Sequence, residues 1–231
     1  MADESLFLHE EVLLLALHDV KGTIAGPMYQ YALGGAILAE LLLNKRIEPE
    51  PTKKKLINVF DPTPLGDPII DECLNKIATA RRRAIPSAWV SRFASIKRLK
   101  DRVAQGLVRR GILRQDHDKV LFFFDRTIYP EADHSPEARL IERLRTAIFT
   151  DSADVDGRTV VLLSLARSAD LLRLVFDKRQ LRQRKDRLDH VINGELTGRA
   201  AKAAIDEMQI VVMIACIMPA IMTSTVTSTS H

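Results

Sequence analysis

Residues 6–47 read LFLHEEVLLLALHDVKGTIAGPMYQYALGGAILAELLLNKRI, two apolar runs on either side of a polar turn that contains glycine. In the first run Leu6, Leu8 and residues 12–17 leave Glu10, Glu11, His18 and Asp19 as a narrow polar edge. In the second, Ala36, Ile37, Leu38, Leu41, Leu42 and Leu43 surround one carboxylate, Glu40. Helices apolar over most of their circumference belong inside a bundle rather than on its skin. The stretch therefore predicts a buried helical hairpin, and the rest of the chain must supply its cover.

The remainder reads as that cover. Pro49, Pro51, Pro62, Pro64 and Pro68 exclude a regular helix after the hairpin and leave an irregular connection, with a short strand at 56–60. Asp67 followed by Pro68 is an N-cap and first-turn pair, so a helix should run from there to about Ala80, closed by Arg81, Arg82 and Arg83. Pro86 opens another helix, carrying the single tryptophan, Trp89, and Phe93. From 96 to 108 the pattern is amphipathic, with Ile96, Leu99, Val103 and Leu107 on one stripe and Gly111 at the end. A turn at 116–118 leading into the β-forming run 120–124 predicts a hairpin. Pro136 begins a helix through Phe149, and Asp156-Gly157 precede a very apolar run to Phe176. A charged helix over 178–192 and a last helix over about 198–217 complete the reading. The expected fold is mainly α: one globular domain over 6–222, with buried hydrophobic helices wrapped by amphipathic ones, plus one β-hairpin. A Ser/Thr-rich disordered tail is expected at 223–231.

Composition agrees. The chain has 231 residues, 46% apolar and 28% charged, enough for a full core of one domain. Aromatics are only 5%, so aliphatic side chains must fill that core. The net charge is +4 with a pI near 9.1, a balance suited to an anionic partner such as a lipid surface or nucleic acid. Cys73 and Cys216 are far apart and lack metal-ligand spacing, which fits a reducing compartment. Residues 1–5 do not read as a signal peptide, and the apolar run 208–222 is short for a spanning helix and carries Pro219. That run is expected to be a buried core helix.

No catalytic, metal or cofactor motif stands out. The six histidines are dispersed, and His9 and His18 fall on opposite sides of a helix. Gly34-Gly35 lies inside a helical pattern, where small residues permit close packing. No enzyme activity, cofactor or metal is expected. The basic clusters are the better lead. Lys97 and Lys100 stand three apart on one flank of the apolar stripe, while Arg98, Arg102 and Arg109 align on the far side. Charges one turn apart can converge on one phosphate, or can form no more than a solvated helix face balanced by Asp101. A second cluster, KRQLRQRKDRLDH at 178–190, could also face an anionic membrane, while its alternation of leucine and charge equally suits a surface helix.

Several segments in collinear order resemble the Golgi phosphoprotein 3 family of phosphatidylinositol 4-phosphate-binding peripheral membrane proteins. They are LHEEVLLLALHD at 8–19, LGGAILAELLLNKRI at 33–47, GDPIIDECL at 66–74, LKDRVAQGLVRRGIL at 99–113 with LFFFDRTIYP at 121–130, and LLSLARSADLLRLVF at 162–176. The resemblance implies a single mainly helical domain with a β-hairpin, and looks like that of a bacterial relative. It also implies a non-enzymatic protein on the cytoplasmic side of a membrane, the Golgi's cytosolic face if eukaryotic. The family's two head-group arginines before the hairpin align with Lys97 and Lys100. Its arginine on the second apolar helix aligns with Gly34, and its tryptophan has no counterpart between Gly22 and Met28. The implied ligand is an anionic phospholipid, held by Lys97 and Lys100 with Arg98 beside them. Phe122, Phe123 and Phe124 on the hairpin would insert shallowly or pair with a second copy. Nucleic acid is not expected. The alternatives are a winged-helix-like nucleic-acid binder, imitated by a basic helix followed by a hairpin, and a helical scaffold with an acidic protein partner.

Overall fold

A computed structural model describes residues 5–17, 22, 24, 28–120, 124–152 and 154–195. Two helices form its centre: α1, Leu8–Ala16, in which every residue is buried, and α2, Tyr29–Leu43, buried from Ala32 to Leu42. Neither helix has an outward face, which is what their near-continuous aliphatic sequence requires. The fold is a mainly α single domain with its core on this pair.

The cover follows in chain order. Strands β1, Ile47–Pro49, and β2, Ile57–Val59, pair antiparallel, burying Ile47 and Ile57. This is a second small sheet, beyond the one hairpin expected. It forms because the chain leaving α2 doubles back on itself, Phe60 and Asp61 donating their N–H groups to the Arg46 carbonyl. Helix α3, Pro68–Ala78, starts as the Asp67-Pro68 pair predicts, with the Asp67 carboxylate accepting from the Ile69 and Ile70 N–H groups. Helices α4, Pro86–Ala94, and α5, Leu99–Arg109, pack on α2 and α1 respectively. Strands β3, Asp116–Val120, and β4, Phe124–Ile128, form the hairpin. Helices α6, Ser135–Phe149, and α7, Gly157–Ser168, reach α1, and α7 also meets α2. Helices α8, Leu172–Val175, α9, Lys178–Gln183, and α10, Lys185–Ile192, complete the described part.

The structure corrects three expectations. Residues 116–118 are strand, not turn: Asp116 pairs with Ile128 and Asp118 with Arg126, and the Asp118–Arg126 ion pair at 2.8 Å supports that register. The charged helix expected over 178–192 is two helices, interrupted at Arg184. The helix expected from Ile96 begins at Leu99, because the backbone turns left-handed at Arg98. The apolar run 208–222, the last helix and the tail lie outside the described residues.

Burying α1 and α2 whole also buries their carboxylates, and each is met by an arginine distant in sequence. Glu10 is 2.7 Å from Arg110, and also accepts the Phe7 N–H at the start of α1. Glu11 is 2.8 Å from Arg143. Glu40 accepts from both terminal nitrogens of Arg158, at 3.0 and 3.1 Å, from the Leu8 N–H at 2.7 Å and from Asn44. Arg158 also donates to the Leu6 carbonyl at 2.6 Å and lies 3.6 Å from Glu11. Buried charges persist when paired and hydrogen-bonded in this way. The arrangement ties α5, α6 and α7 to the central pair at defined rotations.

Helix α2 meets α4 at close range. A Cβ on Gly34 would stand 2.6 Å from the Val90 carbonyl oxygen and 3.0 Å from the Ala94 nitrogen. Only glycine allows the two backbones to approach so nearly. This contact sets the position of α4 and of the turn that follows it.

Candidate functional site

The turn 95–98 connects α4 to α5. Ser95 closes α4, the Ile96 N–H returns to the Phe93 carbonyl, and the Leu99 N–H bonds to the Ile96 carbonyl. Arg98 adopts the left-handed conformation, φ +57°. That conformation costs a non-glycine residue about 1 kcal/mol, and here it redirects the chain while Ile96 and Leu99 both stay on the core. Periodicity could not reveal it, because Ile96 still falls on the apolar stripe.

The break separates the three cations proposed from sequence. Lys97 lies on the turn, not on the helix, and is exposed, with no carboxylate within ion-pair distance among the described residues. Lys100 is half-buried on α5: its Nζ is 3.4 Å from an Asp101 carboxylate oxygen and 5.6 Å from the Tyr129 ring centroid. Arg98 is exposed, with its Nε 3.3 Å from the other Asp101 oxygen. Asp101 also accepts from the Tyr129 hydroxyl at 3.2 Å. Burial, followed by the Asp101 charge, pushes the Tyr129 phenol up to about 12, so it remains a donor. Arg98 and Lys100 thus share one carboxylate, and Lys97 points to a different neighbourhood.

That neighbourhood is a cleft of about 560 Å³ between α3, α4 and the turn. Lys76, Arg92, Lys97 and Arg102 line it, against a single carboxylate, Glu72. Arg102 at 2.5 Å and Lys76 at 3.3 Å both contact Glu72. The Arg102 hydrogen bond, outweighing desolvation, and then Lys76 hold Glu72 below the usual carboxylate range. Arg92 lies 4.5 Å over the Trp89 ring, a cation–π contact that orients its guanidinium. Trp89 is 2% exposed, and its indole N–H has no acceptor among the described residues. Arg92, Lys76 and Arg102 were not assigned to this site from sequence. The Trp89/Arg92 spacing of three on a helix was a legible signal for part of it.

The other residues singled out from sequence are dispersed. His9 is fully buried, and burial holds its imidazole below its ordinary value, outweighing Asp67 3.6 Å away. Cys73 is buried, its thiol pushed up to about 12 by burial. Phe124 is the first residue of β4, while Phe122, Phe123 and His18 lie outside the described residues. Among the described residues no helix is long and apolar enough to cross a membrane.

The fold and this turn define a class: a mainly helical domain built on two buried helices, with cations gathered where α4 hands over to α5. The Golgi phosphoprotein 3 (GPP34) family model matches residues 8–208, and the chain belongs to that family. It is similar to vacuolar protein sorting-associated protein 74 of Eremothecium gossypii, at 27% identity over 208 residues. The match covers 75% of this chain and 62% of that protein.

Proposed function

We propose that this chain is a peripheral membrane protein of Golgi phosphoprotein type, which binds anionic lipid head groups at its α4–α5 turn and catalyses no reaction. The observation that carries the reading is Lys97, exposed, without a carboxylate partner among the described residues, beside a cleft in which four cations face one acid. Arg98 and Lys100 add charge on the other side of the turn, reduced by Asp101. Phosphoinositides fall within the ligand class. Lysines present point charges rather than the bidentate fork of arginine, and position 34 has no room for a side chain. The reading is therefore of charge-driven binding that discriminates weakly among anionic head groups. Its place is the cytoplasmic leaflet, and residues 122–124 of the hairpin would supply shallow insertion or contact with a second copy. The nucleic-acid alternative is disfavoured by Arg102 and Arg98, which Glu72 and Asp101 hold.

Vesicle co-sedimentation tests the reading. The chain should bind vesicles containing phosphatidylserine or phosphatidylinositol 4-phosphate and leave pure phosphatidylcholine in solution. At about 1 kcal/mol per cation near an anionic leaflet, Lys97→Glu/Lys100→Glu should weaken binding by at least ~30-fold. Equal binding to neutral and anionic vesicles, or an unaffected double variant, would refute it.

A further inference from the structure

The segment KRQLRQRKDR at 178–187 carries six cations within ten residues, and the structure divides them into two sets. Arg184 and Arg187 face inward and hold the end of α6. Arg184 donates to the Ile148 and Thr150 carbonyls at 3.1 and 3.0 Å and pairs with Asp151 at 2.8 Å. Arg187 donates to the Ala147 carbonyl at 3.2 Å and to the Ser152 carbonyl. Cations at a helix C-terminus satisfy carbonyls that lack intrahelical partners. These two are structural.

Lys178, Arg179, Arg182 and Lys185 face solvent, and none has a carboxylate partner among the described residues. Three of them, Lys178, Arg182 and Lys185, line a cleft of about 340 Å³ between α8, α9 and α10. Leu181, half-buried, lines the same cleft, with the buried Leu172 and Leu188 at its floor. Arg167 and Arg173 complete its cationic edge, already paired with Asp189 and with Asp170, the one carboxylate of the lining. On α8, Leu174 is 45% exposed, one of the few large apolar side chains in water.

We infer that this cleft is a second anionic-lipid contact, in which a membrane phospholipid sets its phosphate among Lys178, Arg182 and Lys185 and its glycerol and upper acyl carbons against the leucines. Unpaired cations around an aliphatic surface match an amphiphile with an anionic head. A single-stranded nucleic acid would call for aromatic platforms as well as charge. Phe176, the aromatic of this region, is instead buried and packed edge-on against Phe149 at 5.4 Å. An acidic peptide would neutralise the cations and leave Leu174 in water. The cleft shares no residue with the Lys97 turn, so the two contacts stand or fall separately.

The test uses the full chain and phosphatidylserine-containing phosphatidylcholine vesicles. Lys178→Gln/Arg182→Gln/Lys185→Gln alters only exposed side chains, and circular dichroism checks that the fold is kept. At roughly fivefold per cation near an anionic leaflet, it should weaken binding by up to ~100-fold. Lys53→Gln/Lys54→Gln/Lys55→Gln, an equal charge change at another exposed site, should stay within about twofold of the parent. Equal losses in the two triple variants would mean net charge alone acts, and would overturn the inference. So would unchanged vesicle binding by the cleft variant, including the case in which it loses binding to polyglutamate or RNA instead. Lys97→Glu/Lys100→Glu is measured in parallel. A loss confined to that variant refutes the second contact and leaves the turn in place. A loss confined to the cleft variant does the reverse.

Discussion

Arg158→Leu should destabilise the fold, because one guanidinium holds both central helices. In the native chain it makes two hydrogen bonds to Glu40 and one to the Leu6 carbonyl, and approaches Glu11 at 3.6 Å. Removing one partner of a buried pair costs about 3–5 kcal/mol, since the other charge stays behind. Here the low end applies. Glu40 keeps the Leu8 N–H and Asn44, and Glu11 keeps Arg143. A loss of about 3 kcal/mol, at about 2–4 °C per kcal/mol for a domain of this size, lowers the thermal midpoint by roughly 6–12 °C. The pH dependence has a definite sign. Burial raises Glu11 above its ordinary 4.5 despite Arg158 and Arg143. A carboxyl raised on folding begins to penalise the fold as pH rises past its unfolded value and does so in full above its folded value. Without Arg158 that penalty grows, so the deficit should be largest at pH 7 and shrink towards pH 5. Melting followed by circular dichroism at both pH values measures it, and adding Glu40→Gln should recover part of the loss. A midpoint within about 2 °C of the parent at pH 7, or a deficit that widens on acidification, would refute the reasoning.

Two further outcomes follow from the geometry of α2 and the α3–α4 cleft. Gly34→Ala gains up to about 1 kcal/mol of helix propensity, but its methyl meets Val90 and Ala94 backbone, so a net loss of about 1–3 kcal/mol is expected in denaturant unfolding. Glu72→Gln removes the one carboxylate of the cleft and should tighten binding to anionic vesicles by up to about fivefold. Its stability cost should be at most about 1 kcal/mol at neutral pH, since the pair is part-exposed. Because Glu72 is depressed on folding, that cost should vanish as pH falls through its folded value, below 4.5. Titration of vesicle binding and melts between neutral and acid pH read both effects.

Local structure was legible in the order of the residues alone. Aliphatic runs without a polar face made α1 and α2 central, the Asp67-Pro68 pair started α3, and Ser135-Pro136 and Asp156-Gly157 opened α6 and α7 where they stand. Each is a short-range effect of period, capping or a fixed φ, written in neighbouring residues. Which charges meet was settled by the packing of the helices. Glu10 with Arg110, Glu11 with Arg143 and Glu40 with Arg158 are pairs across about a hundred residues, and no helix period relates them. The same holds at the turn. Arg98 breaks a stripe that looks continuous, and that break sends Lys97 to Arg92 and Trp89 while Lys100 goes to Asp101 and Tyr129. Local propensity sets where a helix can form; how closely two backbones approach, as at Gly34 and Val90, sets what its side chains can reach.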